Sequence, residues 1–423
     1  MNIIDNTTIT NNRFEVKITD QLHEYINEDF FYVVEDTNIE NIPKEILLIP
    51  FIVNIAPIVW LSGMTFSIRE MDNNLYHSLN SLKQHLCSLY PDIRFNGEIV
   101  VEETINIKYD LQKSKFIQLF SGGVDSVFTL LQNKDSELSL LTVRGSDTAL
   151  NDNVGWGNIK NMAKKYTTNK QNLKNYFIES NFKVFLNTKK IKKEFKRDWW
   201  TATQFGVGTS SFMSILSFLE GSSIGYLGSS GFPKNKEGFS QYGEVPDIDN
   251  DALNWGKFRT EYHGVNFSRH DKVEYIHSTM INTYNRILPL RVFYSTDGAK
   301  NCSVCSKCYM TMVALLVSGD DYINYGFNIS HTEFIRKIKS DFKNLKYELI
   351  SPVSLDFRLD TQKRIKDRNN YKELNFSNEM IDFLMWYKEF DLPRYYTKFK
   401  KKEAKKRFFR NIEKKITSIF KGY

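Results

Sequence analysis

Residues 116–131 read FIQLFSGGVDSVFTLL, and this stretch indicates the fold of the chain around it. Phe116–Phe120 is a short apolar run typical of a buried strand, and Val127–Leu131 favours the opening of a helix. Between them, Gly122 and Gly123 can adopt backbone angles closed to other residues and let main-chain amides approach an anion. The stretch therefore predicts a strand, a phosphate-binding loop and a helix in direct succession.

The side chains of this loop suit a nucleotide and a divalent metal ion. Ser121 and Ser126 supply hydroxyl donors, and the carboxylate of Asp125 is a hard oxygen ligand that can reach Mg²⁺. The first turn of the following helix adds amide donors and the positive end of the helix dipole. Neither G-x-x-x-x-G-K-[ST] nor G-x-G-x-x-G occurs at this strand end. The loop is therefore neither a Walker A phosphate-binding loop nor a dinucleotide-binding fingerprint. The residues predicted to bind ATP are Ser121, Gly122, Gly123, Val124, Asp125 and Ser126.

Strand-like and helix-like segments alternate beyond the loop. This alternation predicts an α/β fold with a doubly wound parallel sheet that is covered by helices on both faces. The expected strands are Leu138–Val143, Lys183–Leu186 and Ser223–Leu227, and the expected helices are Asn158–Tyr166 and Thr203–Leu219. Loops at the carboxyl ends of parallel strands gather at one crevice, so Gly145, after the second strand, is a further candidate ATP-binding residue.

The order of strand-like and helix-like segments changes twice along the chain, which predicts three regions. Residues 1–112 are expected to form an N-terminal α+β domain, residues 113–317 the nucleotide-binding domain, and residues 318–423 a helical C-terminal region. The strands expected in the first region are Phe14–Ile18, Phe30–Val34, Leu47–Ile55, Thr65–Arg69 and Ile99–Asn106, with one helix at Leu75–Leu89. The amphipathic helices expected in the last region are Glu333–Phe342 and Asn378–Tyr387.

The composition, with 41% hydrophobic and 25% charged residues, is that of a globular protein rather than a disordered one. The longest apolar run, Ile46–Leu61, is too short and too interrupted by prolines to predict a membrane span, and we expect buried strands there. No secretory signal is recognisable at the start, and the four cysteines do not form a disulfide framework. These features favour a cytoplasmic location.

Three of the four cysteines, Cys302, Cys305 and Cys308, have the spacing C-x2-C-x2-C. Thiolates at this spacing can share one soft cation, typically tetrahedral Zn²⁺. A three-cysteine iron–sulfur cluster is the alternative. The sequence predicts a structural zinc site with an uncertain fourth ligand, for which the candidates are His263, His270, His277 and Asp297.

The loop Ser121–Ser126 resembles the S-G-G-x-D-S signature of the PP-loop ATP pyrophosphatases. That group includes tRNA lysidine synthetase, GMP and NAD synthetases, asparagine synthetase and 7-cyano-7-deazaguanine synthase. The resemblance implies that the loop binds the β- and γ-phosphates of ATP while a substrate oxygen attacks the α-phosphate. It also implies that Asp125 and Ser126 act in catalysis.

The cysteine cluster makes the resemblance more specific. In 7-cyano-7-deazaguanine synthase the ATP domain precedes a four-cysteine zinc site that ends C-x2-C-x2-C, and Cys302–Cys308 is similar to its last three ligands. The family's first cysteine would fall near residues 291–294, where this chain has Arg-Val-Phe-Tyr. The likeness covers residues 114–316, about half the chain, and implies a divergent relative with another substrate.

The same resemblance draws attention to the segment Ser268–Lys272, which is similar to the family's segment after the substrate loop. It implies that Arg269 binds ATP and that Lys272 is catalytic, because a cation there would stabilise charge that develops on the triphosphate. A solvated helix face is the alternative. A nearby acidic loop is either a metal- or amine-recognition surface or simply solvated, and consists of Glu244, Asp247, Asp249 and Asp251.

The C-terminal tail is strongly basic. From Arg394 to Tyr423 the chain carries twelve Lys or Arg against two Glu, so the rest of the chain has a net charge of about −3. Phe408, Ile412, Ile416 and Phe420 recur every four residues, which predicts a basic amphipathic helix. Such a helix can bind an anionic membrane surface, bind RNA, or dock on the enzyme body, and the tail can also be disordered.

Taken together, these patterns predict an ATP-dependent enzyme with ATP, Mg²⁺ and Zn²⁺ as cofactors. It would adenylate a carboxylate or carbonyl oxygen of a small-molecule acceptor, release pyrophosphate, and allow a nitrogen nucleophile to displace AMP. No glutaminase cysteine is recognisable, so ammonia or another nitrogen donor would be required. The alternatives are an RNA-modifying enzyme of the same superfamily and a non-catalytic ATP-binding sensor or scaffold. The sequence does not give the oligomeric state.

Overall fold

The computed structural model describes residues 2–108, 110–112, 114–230, 253–292, 301–346, 352–368 and 376–420. It is an α/β protein that divides into two compact units. The first unit holds the described residues up to 229 and those from 253 to 264. The second unit holds Ser230, residues 265–292 and the described residues from 301 onward.

Eleven strands belong to the described part of the first unit. They are β1 (Ile4–Thr10), β2 (Arg13–Ile18), β3 (Phe30–Val34), β4 (Thr65–Asp72), β5 (Glu98–Ile105), β6 (Lys115–Leu119), β7 (Glu137–Arg144), β8 (Leu173–Ser180), β9 (Ile224–Gly228), β10 (Asn254–Trp255) and β11 (Phe258–His263).

Helices of the first unit connect these strands. They are α1 (Lys44–Leu47), α2 (Ile49–Ser62), α3 (Asn73–Leu89), α4 (Val124–Gln132), α5 (Asn153–Thr167), α6 (Thr188–Phe195), α7 (Phe205–Ser210) and α8 (Met213–Glu220). A short 3-10 helix at Asp20–Leu22 and a π-helical turn at Trp200–Gln204 complete the set.

A nine-stranded mixed sheet in the order β1-β2-β3-β8-β7-β6-β9-β11-β10 organises the first unit. Its centre, β8-β7-β6-β9-β11, is parallel. The chain runs outward from β6 through β7 to β8, then returns to the other side of β6 with β9, so the order reverses at β6. Strand β7 is buried along nearly its whole length, as an apolar strand covered on both faces must be.

The N-terminal segment shares this sheet. Strand β3 pairs antiparallel with β8, with Tyr32 opposite Ser180, and β1 and β2 extend the same edge. Strands β4 and β5 form a separate parallel pair. The contacts therefore divide the chain differently from the expected boundaries at 112 and 317, because backbone pairing joins residues 4–34 to the central strands.

The expectation of a strand at Leu47–Ile55 is wrong, because this run lies in α1 and α2. Helix α2 is buried on nearly all sides, so it shows no amphipathic period that could distinguish it from a buried strand. Pro50 occupies its first turn, where a missing N–H costs nothing. The Asn54 side chain donates to the Pro50 carbonyl at 2.8 Å and to the Gly208 carbonyl at 3.3 Å.

Two further expectations for the first unit are corrected. The third parallel strand is β8, whereas Lys183–Leu186 forms the turn after it, in which the Val184 and Phe185 amides donate to the Asn181 carbonyl. The single helix expected at Thr203–Leu219 is interrupted into the π-helical turn, α7 and α8. The other strands and helices expected in this unit are confirmed to within a few residues at their ends.

The described part of the second unit is helical. It consists of α9 (Arg269–Tyr284), α10 (Ser306–Ser318), a 3-10 helix at Tyr322–Tyr325, α11 (His331–Lys343), α12 (Pro352–Asp367), α13 (Asn378–Glu389) and α14 (Leu392–Phe420). Serine side chains cap α9, α11 and α13 at Ser268, Ser330 and Ser377. Within the described residues, no helix combines the length and the apolar character needed to cross a bilayer.

Candidate nucleotide loop and cysteine cluster

The glycine loop lies between β6 and α4, as the sequence predicts. Gly122 has a φ of +74°, a conformation that glycine adopts at no steric cost. Gly123 is the residue before α4, with extended backbone angles and no side chain to cap the helix. The main chain thus reaches the first turn of α4 without a Cβ at either glycine, and first-turn amides of a helix have no acceptor within it.

Both loop serines hold the main chain in place. The Ser126 hydroxyl donates to the Gly123 carbonyl at 3.1 Å and accepts from the Ser121 amide at 3.4 Å. The Ser121 hydroxyl accepts from the Gly123 amide at 3.4 Å and lies 3.3 Å from the Ser126 hydroxyl. Asp125 occupies the first turn of α4 and is half-buried. The structure therefore gives the serines a local structural role, and their contact with phosphate stays a prediction.

Two buried side chains beneath the loop were missed by the sequence analysis. The Gln118 amide on β6 donates to the Ser126 carbonyl at 2.6 Å and is fully buried. The Thr142 hydroxyl on β7 donates to the Phe120 carbonyl at 2.8 Å. A polar residue inside the apolar run of β6 was the available signal, because a buried amide must find a partner.

Glycines of the neighbouring strands let the main chains pack closely at the carboxyl edge of the sheet. A Cβ on Gly228, the last residue of β9, would lie 2.8 Å from the carbonyl carbon and oxygen of Asp125. Gly145, directly after β7, has a φ of +99°, and a Cβ there would lie 1.8 Å from the Ser180 carbonyl oxygen. Packing therefore requires glycine at both positions. Gly145 lies at the same sheet edge as the loop, and its contact with ATP stays a prediction.

Arg269 and Lys272 belong to the second unit, on the first turn of α9. Both side chains are buried, with 9% and 1% of their surface exposed. The Arg269 guanidinium donates to the Thr311 hydroxyl at 3.3 Å. The alternative expectation of a solvated helix face is therefore wrong for these two residues. Their predicted roles toward ATP are not tested by contacts within the second unit.

The three cysteines come together at the start of α10. Their sulfur atoms all lie within 4.8 Å of one another, and the Cys302 and Cys308 sulfurs are 3.8 Å apart. Tetrahedral zinc with Zn–S bonds of about 2.3 Å has sulfur–sulfur edges of about 3.8 Å. The cluster therefore has the donor atoms and the spacing to hold a metal ion such as zinc.

The turn that carries the cysteines is fixed by buried polar contacts. Asn301 accepts from the Val292 amide at 2.9 Å and donates to the carbonyls of Leu290 at 2.8 Å and Gly326 at 3.4 Å. Ser303 has a positive φ of 57° and its hydroxyl accepts from the Asn328 amide at 2.9 Å. These contacts hold the turn in one conformation, and Asn301 is a supporting residue that the C-x2-C-x2-C pattern did not reveal.

Hydrogen bonds and burial shift the pKa values of the three thiols in different directions. A hydrogen bond from the Cys308 thiol lowers the pKa of Cys305, and the same bond raises the pKa of Cys308. Burial raises the pKa of the Cys302 thiol. Cys305 is therefore the most acidic thiol of the cluster, and metal binding would release the protons of the other two thiols to solvent.

The described residues do not supply the fourth ligand. Among them, Cys302, Cys305 and Cys308 are the one group of three or more Cys, His, Asp or Glu side chains whose donor atoms lie close enough to share a metal ion. The Nδ1 atom of His270 lies 3.3 Å from the Thr361 hydroxyl, and the Nδ1 atom of His277 lies 3.1 Å from a carboxylate oxygen of Asp320. His263 belongs to the first unit. Asp297 and the acidic loop, Glu244, Asp247, Asp249 and Asp251, lie outside the described residues.

Comparisons with protein-family models, with curated proteins and with solved structures gave no match. Functional assignment therefore depends on the loop, the strand order around it and the cysteine cluster.

Proposed function

We propose that this chain is an ATP-dependent enzyme of the PP-loop type, which cleaves ATP to AMP and pyrophosphate. The observation that carries the proposal is the position of Ser121–Ser126, which follows β6 and enters the first turn of α4 where the parallel strand order reverses. In doubly wound sheets, ligands bind in the crevice at such a reversal. The S-G-G-x-D-S pattern, which resembles the PP-loop signature, supports the nucleotide as that ligand.

Each loop residue has a defined part in this proposal. The glycines open the main chain so that amides of the loop and of the first turn of α4 contact the β- and γ-phosphates. Asp125, in that first turn, would hold Mg²⁺, which neutralises charge on the phosphates when it is bound. Ser126 fixes the turn through the Gly123 carbonyl, so the donors are oriented before ATP arrives.

The proposed reaction has two steps. A carboxylate or carbonyl oxygen of a small-molecule acceptor attacks the α-phosphorus of ATP, and the bond from that phosphorus to the bridging oxygen breaks. Pyrophosphate leaves with the electron pair of that bond and is stabilised by the loop. Ammonia or another nitrogen nucleophile then attacks the activated carbon, loses a proton, and displaces AMP. The resemblance to the PP-loop enzymes also implies that a cation at Arg269 or Lys272 stabilises the charge that develops on the phosphates.

The cysteine cluster has a structural role in the proposal. Cys302, Cys305 and Cys308 would hold Zn²⁺ and fix the start of α10. Structural zinc sites contribute directly to folding free energy, whereas catalytic sites keep one open coordination position. In this proposal the zinc ion takes no part in adenylation, which takes place at the loop of the first unit.

The test is ATP turnover by the full chain with pools of small carboxylates and ammonium, following AMP and pyrophosphate separately from ADP and phosphate. We expect acceptor-dependent formation of AMP and pyrophosphate in equal amounts. Asp125→Asn should lower the rate by on the order of 10²–10³-fold, because it removes one preorganised electrostatic contact. Asp135→Asn is the matched control, since Asp135 is 88% exposed and lies just beyond α4.

Three outcomes would overturn the proposal. ADP and phosphate as products would indicate a different phosphoryl transfer. Tight ATP binding without turnover in any pool would indicate a sensor. An absence of Mg-ATP binding by calorimetry, or binding that Asp125→Asn leaves unchanged, would remove the loop from nucleotide recognition.

A further inference from the structure

The final helix, α14, has two parts with different environments. Its first turns pack within the second unit, where Leu392, Tyr395 and Phe399 are buried. The Tyr395 ring lies 5.0 Å from that of Phe342 on α11. This part of the helix has therefore already buried its apolar side chains against its own unit.

Lys402 marks the end of the packed part. Its ammonium donates to the carbonyls of Asn344 at 2.9 Å and Leu345 at 3.1 Å, directly after α11. Carbonyls at a helix C-terminus have no partner in the helix and carry partial negative charge, so a lysine there is favourable. This contact joins α14 to the residues that follow α11.

Beyond Lys402 the described apolar side chains are exposed. Phe408 is 63% exposed, Phe409 61% and Ile412 38%, and the two phenylalanine rings are 5.9 Å apart. Positions 408 and 412 lie on one face of a helix, since residues four apart are neighbours. In the sequence the apolar spacing continues at Ile416 and Phe420. Single exposed apolar residues are common on protein surfaces, whereas three neighbouring ones on one helix indicate an interaction surface.

The charge around this surface is positive. Lys401, Lys405 and Lys406 are exposed on the same helix, and residues 394–423 contain twelve Lys or Arg against two Glu. The rest of the chain has a net charge of about −3, so the excess of positive over negative charge lies in this segment. The partner must therefore combine negative charge with apolar surface.

We propose that residues 401–420 of α14 bind an anionic lipid bilayer, with the helix lying in the plane of the headgroups. A bilayer offers both features, because Phe408, Phe409 and Ile412 can enter the acyl boundary while the lysines remain at anionic headgroups. RNA would satisfy the lysines and could stack on the phenylalanines, but it offers no apolar surface to Ile412 or to the four-residue spacing that continues beyond it. The segment of twenty residues is about 30 Å long as a helix, enough to anchor in the interface.

The experiment is flotation of the full chain with vesicles. Phosphatidylcholine vesicles are compared with vesicles of equal parts phosphatidylcholine and phosphatidylserine. We expect flotation with the anionic vesicles, a decrease with rising salt, and little binding to the neutral ones. The double substitution Phe408→Ser with Phe409→Ser should weaken binding by at least about tenfold, because binding strength scales with buried apolar area.

Matched variants separate the two contributions. Phe205→Ser with Ile281→Ser removes two side chains of 48% and 50% exposure from other helices and should leave flotation unchanged. Lys405→Glu with Lys406→Glu should weaken binding to the anionic vesicles while the protein keeps its melting temperature, since both side chains are exposed.

Four results would overturn the proposal. Equal binding to neutral and anionic vesicles would exclude charge recognition, and an unchanged affinity of the phenylalanine variant would exclude insertion. Displacement from the vesicles by tRNA, with tighter binding to tRNA, would assign the surface to RNA. Concentration-dependent dimerisation that the phenylalanine variant abolishes would assign it to a second copy.

Discussion

The glycine loop and the cysteine cluster are both short turns that lead into a helix, yet they are built in opposite ways. The loop between β6 and α4 presents main-chain groups, and its shape is set by glycines and by buried contacts such as that of Gln118 with the Ser126 carbonyl. The cluster before α10 presents side-chain sulfurs, and its shape is set by Asn301 and Ser303. One site depends on the path of the backbone, and the other on the identity of three side chains.

This difference determines what each site tolerates. A site made of main-chain donors is damaged by anything that moves the main chain, including changes on a neighbouring strand. A site made of three thiolates is lost when one of them is replaced, while its supporting contacts only tune it.

Replacement of one thiol should abolish metal binding. Cys308 is fully buried, and its sulfur lies 3.8 Å from that of Cys302. We expect Cys308→Ser to lower metal affinity by more than the roughly 10–100-fold that loss of a supporting contact causes. Metal content of the purified protein and hydrogen-exchange protection of α10 are the measurements, and chelation should reproduce the loss of protection.

Cys87→Ser is the control for this change, because Cys87 is an exposed free thiol on α3. It should retain one metal ion per chain. Equimolar metal in the Cys308 variant would show that the cluster does not bind it.

A single methyl group on a neighbouring strand should disturb the loop. A Cβ at Gly228 meets backbone atoms of Asp125 at 2.8 Å, and backbone cannot rotate away as a side chain can. We expect Gly228→Ala to destabilise the first unit by about 3 kcal/mol, the upper end for overpacking, and to weaken Mg-ATP binding. Chemical denaturation and calorimetry would measure the two effects.

Gly157→Ala is the matched control. Gly157 lies inside α5 with no atom within 4 Å of an added Cβ, so alanine should stabilise the helix by about 0.5–1 kcal/mol. If both substitutions had the same effect, close packing at Gly228 would not control the loop.

The sequence predicted those parts of the fold that have local signals. The run before Ser121 is short, apolar and followed by two glycines, so β6 and α4 were predictable, and Leu75–Leu89 has a clear helical period that α3 confirms. The spacing of the cysteines was likewise sufficient to bring them together in the structure.

Other parts of the fold depend on contacts that are distant in sequence. Helix α2 is buried all round, so its hydrophobic pattern does not distinguish helix from strand. Strand β8 mixes polar with apolar residues, so its hydrophobic pattern is weak, and its pairing partner β3 is far away in the chain. Gln118 and Asn301 support the two sites through contacts 8 to 25 residues away, which no short motif encodes.

Loss of a supporting contact in the cluster should weaken the site without abolishing it. Asn301→Ala leaves the buried Val292 amide and the Leu290 carbonyl without their partner, which costs about 2 kcal/mol. We expect metal to remain bound, with affinity reduced by roughly 10–100-fold. Competition with a chromogenic chelator would measure this, and Asn344→Ala, at an exposed position, is the control. Complete loss of metal would place Asn301 among the determinants of the site rather than its supports.

The smallest effect on stability is expected at Ser121, and it is the most direct test of the contrast. Ser121 is exposed, and its hydroxyl makes two long contacts, of 3.4 Å with the Gly123 amide and of 3.3 Å with the Ser126 hydroxyl. Ser121→Ala should therefore change the free energy of unfolding by less than about 0.5 kcal/mol. If the hydroxyl also donates to phosphate, Mg-ATP binding should weaken by roughly 10–150-fold, since a hydrogen bond to a charged group contributes about 1.5–3 kcal/mol. Equal ATP affinity of the Ser121→Ala variant and the unchanged protein would mean that the Ser121 hydroxyl does not contact the nucleotide. The loop would then bind phosphate through its main chain, whereas the cysteine cluster would bind metal through its side chains.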